Sequence, residues 1–195
     1  MIQFANPSAD LFIPDDFEPS QALGRTTHLG VGAHQDDLEV MALHGILACY
    51  KQSEKWFGGV TVTNGAGSSR INEYADYTDE QMQDVRAEEQ RKAAVVAEFG
   101  FVAQLGYPSS AVKQPENSDY AADLQTILAA AGPQVGKLVF CAAQWQVRGA
   151  RYLGGAGVQE GKWGARHRLQ SCRHGCCSTQ TTAGTRARGA ALPSR

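Results

Sequence analysis

Residues 34–39 read His34-Gln35-Asp36-Asp37-Leu38-Glu39, an imidazole followed by two adjacent carboxylates and a third two positions later. A histidine nitrogen and an aspartate oxygen are donors that suit a divalent metal such as zinc. Two ligands from one tight turn leave room for a third ligand and a water. A carboxylate one residue away lies close enough to take a proton from that water. A cation would also offset the repulsion between neighbouring carboxylates. The same residues equally suit a plain helix start. Asp36 would be the N-cap, Glu39 would complete a capping box, and Asp37 would face the helix dipole in the first turn. His34 would then be a satisfied core histidine.

The elements that must carry this cluster follow from hydrophobic patterning. Residues 28–33 (HLGVGA) are a continuous apolar run ending at His34, which predicts a buried strand. From Leu38 to Tyr50, Leu38, Met41, Ala42, Gly45, Ile46 and Cys49 recur at helical spacing. Trp56 to Val62 reads as a second strand, and Asn64 to Thr78 as a Gly/Ser/Asn-rich loop. A long helix is expected from Asp79 to Phe99, with Val85, Ala93, Val96 and Ala97 inside and Gly100 stopping it. A strand at Phe101–Leu105, a polar loop from Tyr107 to Ser118, a helix from Tyr120 to Ala131 and a strand at Lys137–Cys141 complete the pattern. Such alternation predicts an α/β fold, a largely parallel sheet with helices on both faces. Ligands of such sheets sit beyond the carboxyl ends of the strands, which is where His34 falls.

Charge and composition divide the chain. Up to Ala143 there are nine Lys and Arg against nineteen Asp and Glu, a balance of −10. From Gln144 to Arg195 there are nine basic residues and one acid, Glu160, a balance of +8. That stretch has no Ile or Phe and only five Val or Leu, too little apolar area to offset the entropy of ordering it. The expected organisation is an α/β domain over residues 1–143 and an irregular or disordered Arg/Gly-rich tail over residues 144–195. No run approaches the length of a membrane span, and Met1 to Ser20 lacks the basic start of a secretory signal. The five Cys are odd in number; Cys49 and Cys141 read as reduced core thiols and Cys172, Cys176 and Cys177 belong to the tail, which favours the cytoplasm. Thr185-Arg186-Ala187-Arg188 has no aromatic interleaving, so no nucleic-acid partner is expected. Gly65-Ala66-Gly67-Ser68-Ser69 lacks the Lys and spacing of a P-loop.

Ala33-His34-Gln35-Asp36-Asp37-Leu38-Glu39 resembles the Ala-His-Pro-Asp-Asp-x-Glu signature of the PIG-L/LmbE-like zinc-dependent N-deacetylases. The likeness continues in register. Thr63-Asn64-Gly65 matches the family's Thr-x-Gly. Arg86 to Glu89, with Ala93 and Gly100 beyond, matches its Arg-x-x-Glu-x-x-x-Ala helix, and Leu105-Gly106-Tyr107-Pro108 resembles its next strand end. The resemblance covers roughly residues 26–141 and implies a Rossmann-like sheet. It also implies Zn²⁺ bound by His34 and Asp37, Asp36 as catalytic general base, and Arg86 on substrate hydroxyls. The implied reaction is hydrolysis of an acetamide on an N-acetylglucosamine-type sugar conjugate, a small-molecule partner.

This chain departs from the family pattern at three places. Gln35 stands where the family has Pro, and Ser109-Ser110 where members often carry an Asp. The family's last zinc ligand, a His after a later strand, has no counterpart, so the third ligand is unassigned. Past Cys141 the chain offers only His167 and His174, and the cluster Cys172 to Cys177 matches no standard zinc module. A change of reading frame near residues 136–143 would account for the abrupt switch. Reading the codons for residues 143–153 one nucleotide forward permits His-Asn-Gly and then His-Asp-Thr, like the missing segment. The alternative to an active deacetylase is thus a non-catalytic, truncated or frameshifted member that keeps the α/β domain and an incomplete metal site.

Overall fold

A computed structural model describes residues 2–114 and 119–132, and the backbone of residues 137–141. The expected tail over 144–195, with His167, His174 and the Cys172–Cys177 cluster, lies outside the described residues.

The elements in chain order are β1 (Asp10–Phe12), α1 (Pro19–Gly24), β2 (His28–Gly32), α2 (Asp37–Met41) and α3 (Leu43–Cys49). Then come β3 (Phe57–Thr63), a 3-10 turn (Asn72–Tyr74), α4 (Asp79–Val96), β4 (Phe101–Tyr107), α5 (Ser109–Val112), α6 (Asp119–Ala131) and β5 (Lys137–Cys141). The strands form one sheet in the order β1-β4-β3-β2-β5. β2 to β5 run parallel, and β1 is antiparallel on the β4 edge. The chain builds outward from β2 through β3 to β4, then returns to place β5 on the other side of β2. The strand order therefore reverses between β2 and β5, the place where Rossmann-like sheets bind ligands. The expected fold class is found.

Strand alternation divides the core between the two faces. Leu29, Val31, Val60, Val62, Phe101, Ala103 and Leu105 pack with Leu23 of α1 and Leu124 and Ile127 of α6. On the other face Phe57 and Val102 pack with Leu38 of α2, Ile46 and Cys49 of α3, and Ala94 of α4. This second face carries glycines where helices come close. A Cβ on Gly59 would lie 2.8 Å from a Leu38 methyl and 3.1 Å from the Phe99 ring.

Several boundaries differ from the sequence expectation. The helix expected from Leu38 to Tyr50 is two, broken at Ala42 (φ −103°, ψ 10°) where its methyl packs over Gly30. The expected inside face of α4 is also corrected. Its buried residues are Met82, Gln90 and Ala94, whereas Val96 is 75% exposed. The helix ends at Val96, before Gly100, because Glu98 takes the left-handed turn (φ 55°) and the Phe99 N–H closes back on Ala94. β1 and α1 were not anticipated, and α5 occupies part of the expected loop.

The N-terminal segment is tied under the sheet by Asp123, which is buried. Its carboxylate accepts hydrogen bonds from the Tyr107 hydroxyl (2.7 Å) and the Ala5 N–H (2.6 Å). Burial first, then that hydrogen bond and the charges of Asp123 and Asp119, push the Tyr107 phenol above its usual range. An unfolded tyrosine ionises near pH ~10, so this contribution is complete below that pH and lost as pH rises further. Tyr107→Phe should lower stability at neutral pH and flatten its alkaline fall, read by urea denaturation between pH 7 and 11. Gly59→Val should cost roughly 1–3 kcal/mol or more through overpacking against Leu38 and Phe99. The same denaturation measurement checks this.

Candidate functional site

β2 delivers the cluster to the carboxyl edge of the sheet, and the two adjacent aspartates then part company. Asp37 turns inward, and its Oδ2 accepts hydrogen bonds from the backbone N–H groups of Ala33 and His34, both at 2.9 Å. It can sit there because Gly32 has no side chain. A Cβ at that position would lie 2.8 Å from the Asp37 Cβ. The His34 Nδ1 stands 3.6 Å from the same Oδ2, with the imidazole 44% exposed. Among the described residues both hydrogen bonds of Asp37 fall on Oδ2.

Asp36 turns outward. Its backbone is left-handed (φ 76°), a conformation asparagine and aspartate tolerate better than most residues. The expected capping box is absent: Asp36 occupies the N-cap position of α2 but makes no side-chain cap. Its carboxylate instead meets Arg86 Nη2 at 2.6 Å, and Glu39 pairs with Gln90 at 2.8 Å. Tertiary partners on α4 have replaced the local cap.

One face of α4 grips this turn. Arg86 Nη2 also donates to the Gln35 carbonyl (3.2 Å), and Nη1 pairs with Glu89. One turn later, Gln90 Oε1 lies 3.4 Å from the Asp36 nitrogen, and its Nε2 donates to Glu39. Burial pulls the Arg86 guanidinium down, but the hydrogen bond and charge of Asp36, joined by Glu89, outweigh it and hold it above its ordinary value. A guanidinium carries five N–H donors. Among the described residues the buried Nε has no hydrogen-bond partner.

β3 braces the turn from the other side. The Thr63 N–H and hydroxyl both donate to the Ala33 carbonyl, at 2.9 and 2.8 Å. Gln35 is buried, and its side-chain amide donates to the Thr63 carbonyl (3.1 Å), so it secures the turn where the family signature has Pro. Gly65 is left-handed (φ 74°), and a Cβ there would lie 2.8 Å from both Arg86 Cβ and Gln35 Oε1. These contacts explain the physical need for glycine after Thr63-Asn64.

The structure thus brings His34 to Asp37, and Asp36 to Arg86, around one turn. Ser109 and Ser110 begin α5 beyond the end of β4. Among the described residues no set of three His, Cys, Asp or Glu side chains forms a metal site. Gln90 is the residue that sequence reasoning passed over. Its one signal was its place a turn after Arg86.

The family model of PIG-L proteins, described as GlcNAc-PI de-N-acetylase, matches residues 29–149 of this sequence, more than half of it. The chain belongs to the PIG-L family. Comparison with curated proteins and with solved structures gives no match. The PIG-L match spans the whole turn, the Thr63–Gly65 brace and the α4 grip. It makes the chain a GlcNAc de-N-acetylase-like hydrolase by family.

The donor chemistry fits a divalent metal in part. His34 offers a ring nitrogen and Asp37 an oxygen from one side of the turn, and Asp37 keeps an oxygen beyond its two backbone hydrogen bonds. Imidazole and carboxylate are zinc donors. No helix among the described residues is long and apolar enough to cross a membrane. Gly65→Ala should press a methyl into Arg86 at a left-handed position and cost roughly 1–3 kcal/mol. Urea denaturation should show that loss, and a variant as stable as the parent would contradict the packing of Gly65 on Arg86.

Proposed function

We propose that this chain is a zinc-dependent hydrolase that removes the N-acetyl group from an N-acetylglucosamine-type sugar conjugate in the cytoplasm. His34 and Asp37 hold the metal, Asp36 is the general base and Arg86 engages the sugar. The observation that carries this reading is the splitting of the aspartate pair. Asp37 faces His34 on one side of the turn, and Asp36 faces a guanidinium on the other. When bound, zinc would supply the positive charge that polarises the acetamide carbonyl and makes water easier to deprotonate.

The chain's own residues do the remainder. Asp36 takes a proton from the attacking water while the water oxygen bonds to the carbonyl carbon. The C–N bond then breaks, the proton passes to the leaving nitrogen, and the products are acetate and a free amine. Arg86 aims the Asp36 carboxylate, and its guanidinium meets a sugar hydroxyl.

A second reading is a non-catalytic PIG-L member that keeps the α/β domain and an incomplete metal site. Its basis is in the sequence, where the family's last histidine ligand has no counterpart. Zinc content and amine release from N-acetylglucosamine conjugates separate the two readings. The enzyme reading expects about one zinc per chain, lost in His34→Ala. Asp36→Asn should lower turnover by about 10²–10⁴-fold with zinc retained. A folded protein that takes up no zinc and releases no amine would overturn the catalytic assignment.

A further inference from the structure

Gln90 is a polar side chain placed where a helix usually buries an apolar one. It is 2% exposed on the sheet-facing stripe of α4, in the series Met82, Arg86, Gln90, Ala94 at spacings of four. Two of its contacts lead to the site. Its Nε2 donates to Glu39 Oε1 at 2.8 Å, and its Oε1 faces the backbone nitrogen of Asp36 at 3.4 Å. One amide therefore spans from the first turn of α2 to the residue that precedes it.

That residue is the left-handed one. A left-handed aspartate is strained and persists only where the surroundings over-determine it. At Asp36 the constraints come from α4. Arg86 fixes the carboxylate and the carbonyl of Gln35, while Gln90 fixes the N–H. Gln90 has a further tie to Glu39, whose second oxygen is buried and makes no hydrogen bond among the described residues. Glu39 is thus held mainly through Gln90, and a glutamine is needed because the position must donate to a carboxylate and accept from an N–H at once. Glutamate could accept but not donate. Leucine could do neither.

We propose that Gln90 is a positioning residue for Asp36: its amide bridges the Asp36 N–H and the Glu39 carboxylate and so holds the left-handed turn that aims the base. This rests on the reading of Asp36 as the base, but the bridge itself is measurable without turnover. Removing it leaves His34 and Asp37 braced by the N–H groups of Ala33 and His34, so metal binding is largely spared.

The test uses the full chain in four forms: parent, Gln90→Glu, Gln90→Leu, and the exchanged pair Gln90→Glu with Glu39→Gln. In Gln90→Glu two carboxylates face each other. In the exchanged pair the amide and the carboxylate trade places, and an acceptor for the Asp36 N–H is kept. Amide hydrogen exchange at Asp36, followed by NMR, should speed up by about tenfold or more in both single variants and return to within about threefold of the parent in the exchanged pair. Zinc affinity should change by less than about threefold throughout. With an N-acetylglucosamine conjugate, kcat should fall about tenfold in the single variants with KM unchanged, and recover in the exchanged pair. Recovery separates a bridge from simple core filling, which the exchanged pair would not restore.

Unchanged exchange at Asp36 in folded Gln90→Glu, or an exchanged pair no better than the single variant, would overturn the proposal. If the parent protein releases no amine, the catalytic reading fails by itself, and the exchange measurements still decide whether Gln90 holds the turn.

Discussion

Two carboxylates on adjacent residues repel each other, and the whole site depends on how the β2–α2 turn relieves that repulsion. A continuous helical start would leave both at one helix end, competing for the same N–H groups. The left-handed backbone at Asp36 sends them to opposite sides instead. Asp37 receives two backbone N–H donors beside His34, and Asp36 receives a guanidinium. Each charge is matched separately, by partners that fold in from different elements. An ion pair half in solvent contributes little to stability by itself, because Asp36 is 68% exposed. Its importance is geometric: it fixes where the carboxylate points.

Such a turn needs supports that an ordinary hydrophobic core does not supply. Gly32 of β2, Thr61 of β3 and Gln104 of β4 stand side by side in register on the face covered by α2 and α4. Glycine lets Asp37 come close, and Gln104 donates to the Ala87 carbonyl on α4. Gln90 lies one turn further along that helix. Thr61 Oγ1, Gln104 Oε1 and Glu39 Oε2 are buried without hydrogen bonds among the described residues. Buried polar atoms of this kind each cost about 1–3 kcal/mol. A layer that gives up stability beneath a reactive turn is where natural sequences put function ahead of packing. The opposite face is built from Leu, Val, Phe and Ile contacts to α1 and α6.

The uneven division explains what the sequence revealed. β2, β3 and β4 were legible because strands covered on both faces read as continuous apolar runs. The gathering of His34, Asp36 and Asp37 at a strand end was legible because residue types and strand-end position coincided. The phase of α4 was not, because its sheet-facing stripe contains Arg86 and Gln90 between Met82 and Ala94. A hydrophobic periodicity sought through Val85 and Val96 selects the wrong face. Asp36 misled for a related reason. Asp-x-x-Glu is the local pattern of a capping box, and only the approach of α4, fifty residues away in sequence, shows that both side chains have other partners. β1 is three residues and α1 six, too short for any period to register.

Two separate sets of contacts hold the two aspartates. Among the described residues, the bonds that hold the turn come from β2, β3 and α4. Asp36 is aimed by Arg86 and faces Gln90 through its backbone nitrogen, both on α4. Asp37 is held within the turn itself, by the N–H groups of Ala33 and His34. A change at Gln90 would therefore disturb the contacts of Asp36 and leave the two hydrogen bonds of Asp37 in place. Neighbours in sequence, the two carboxylates are supported independently in space, and that independence lets one turn present two charges in two directions.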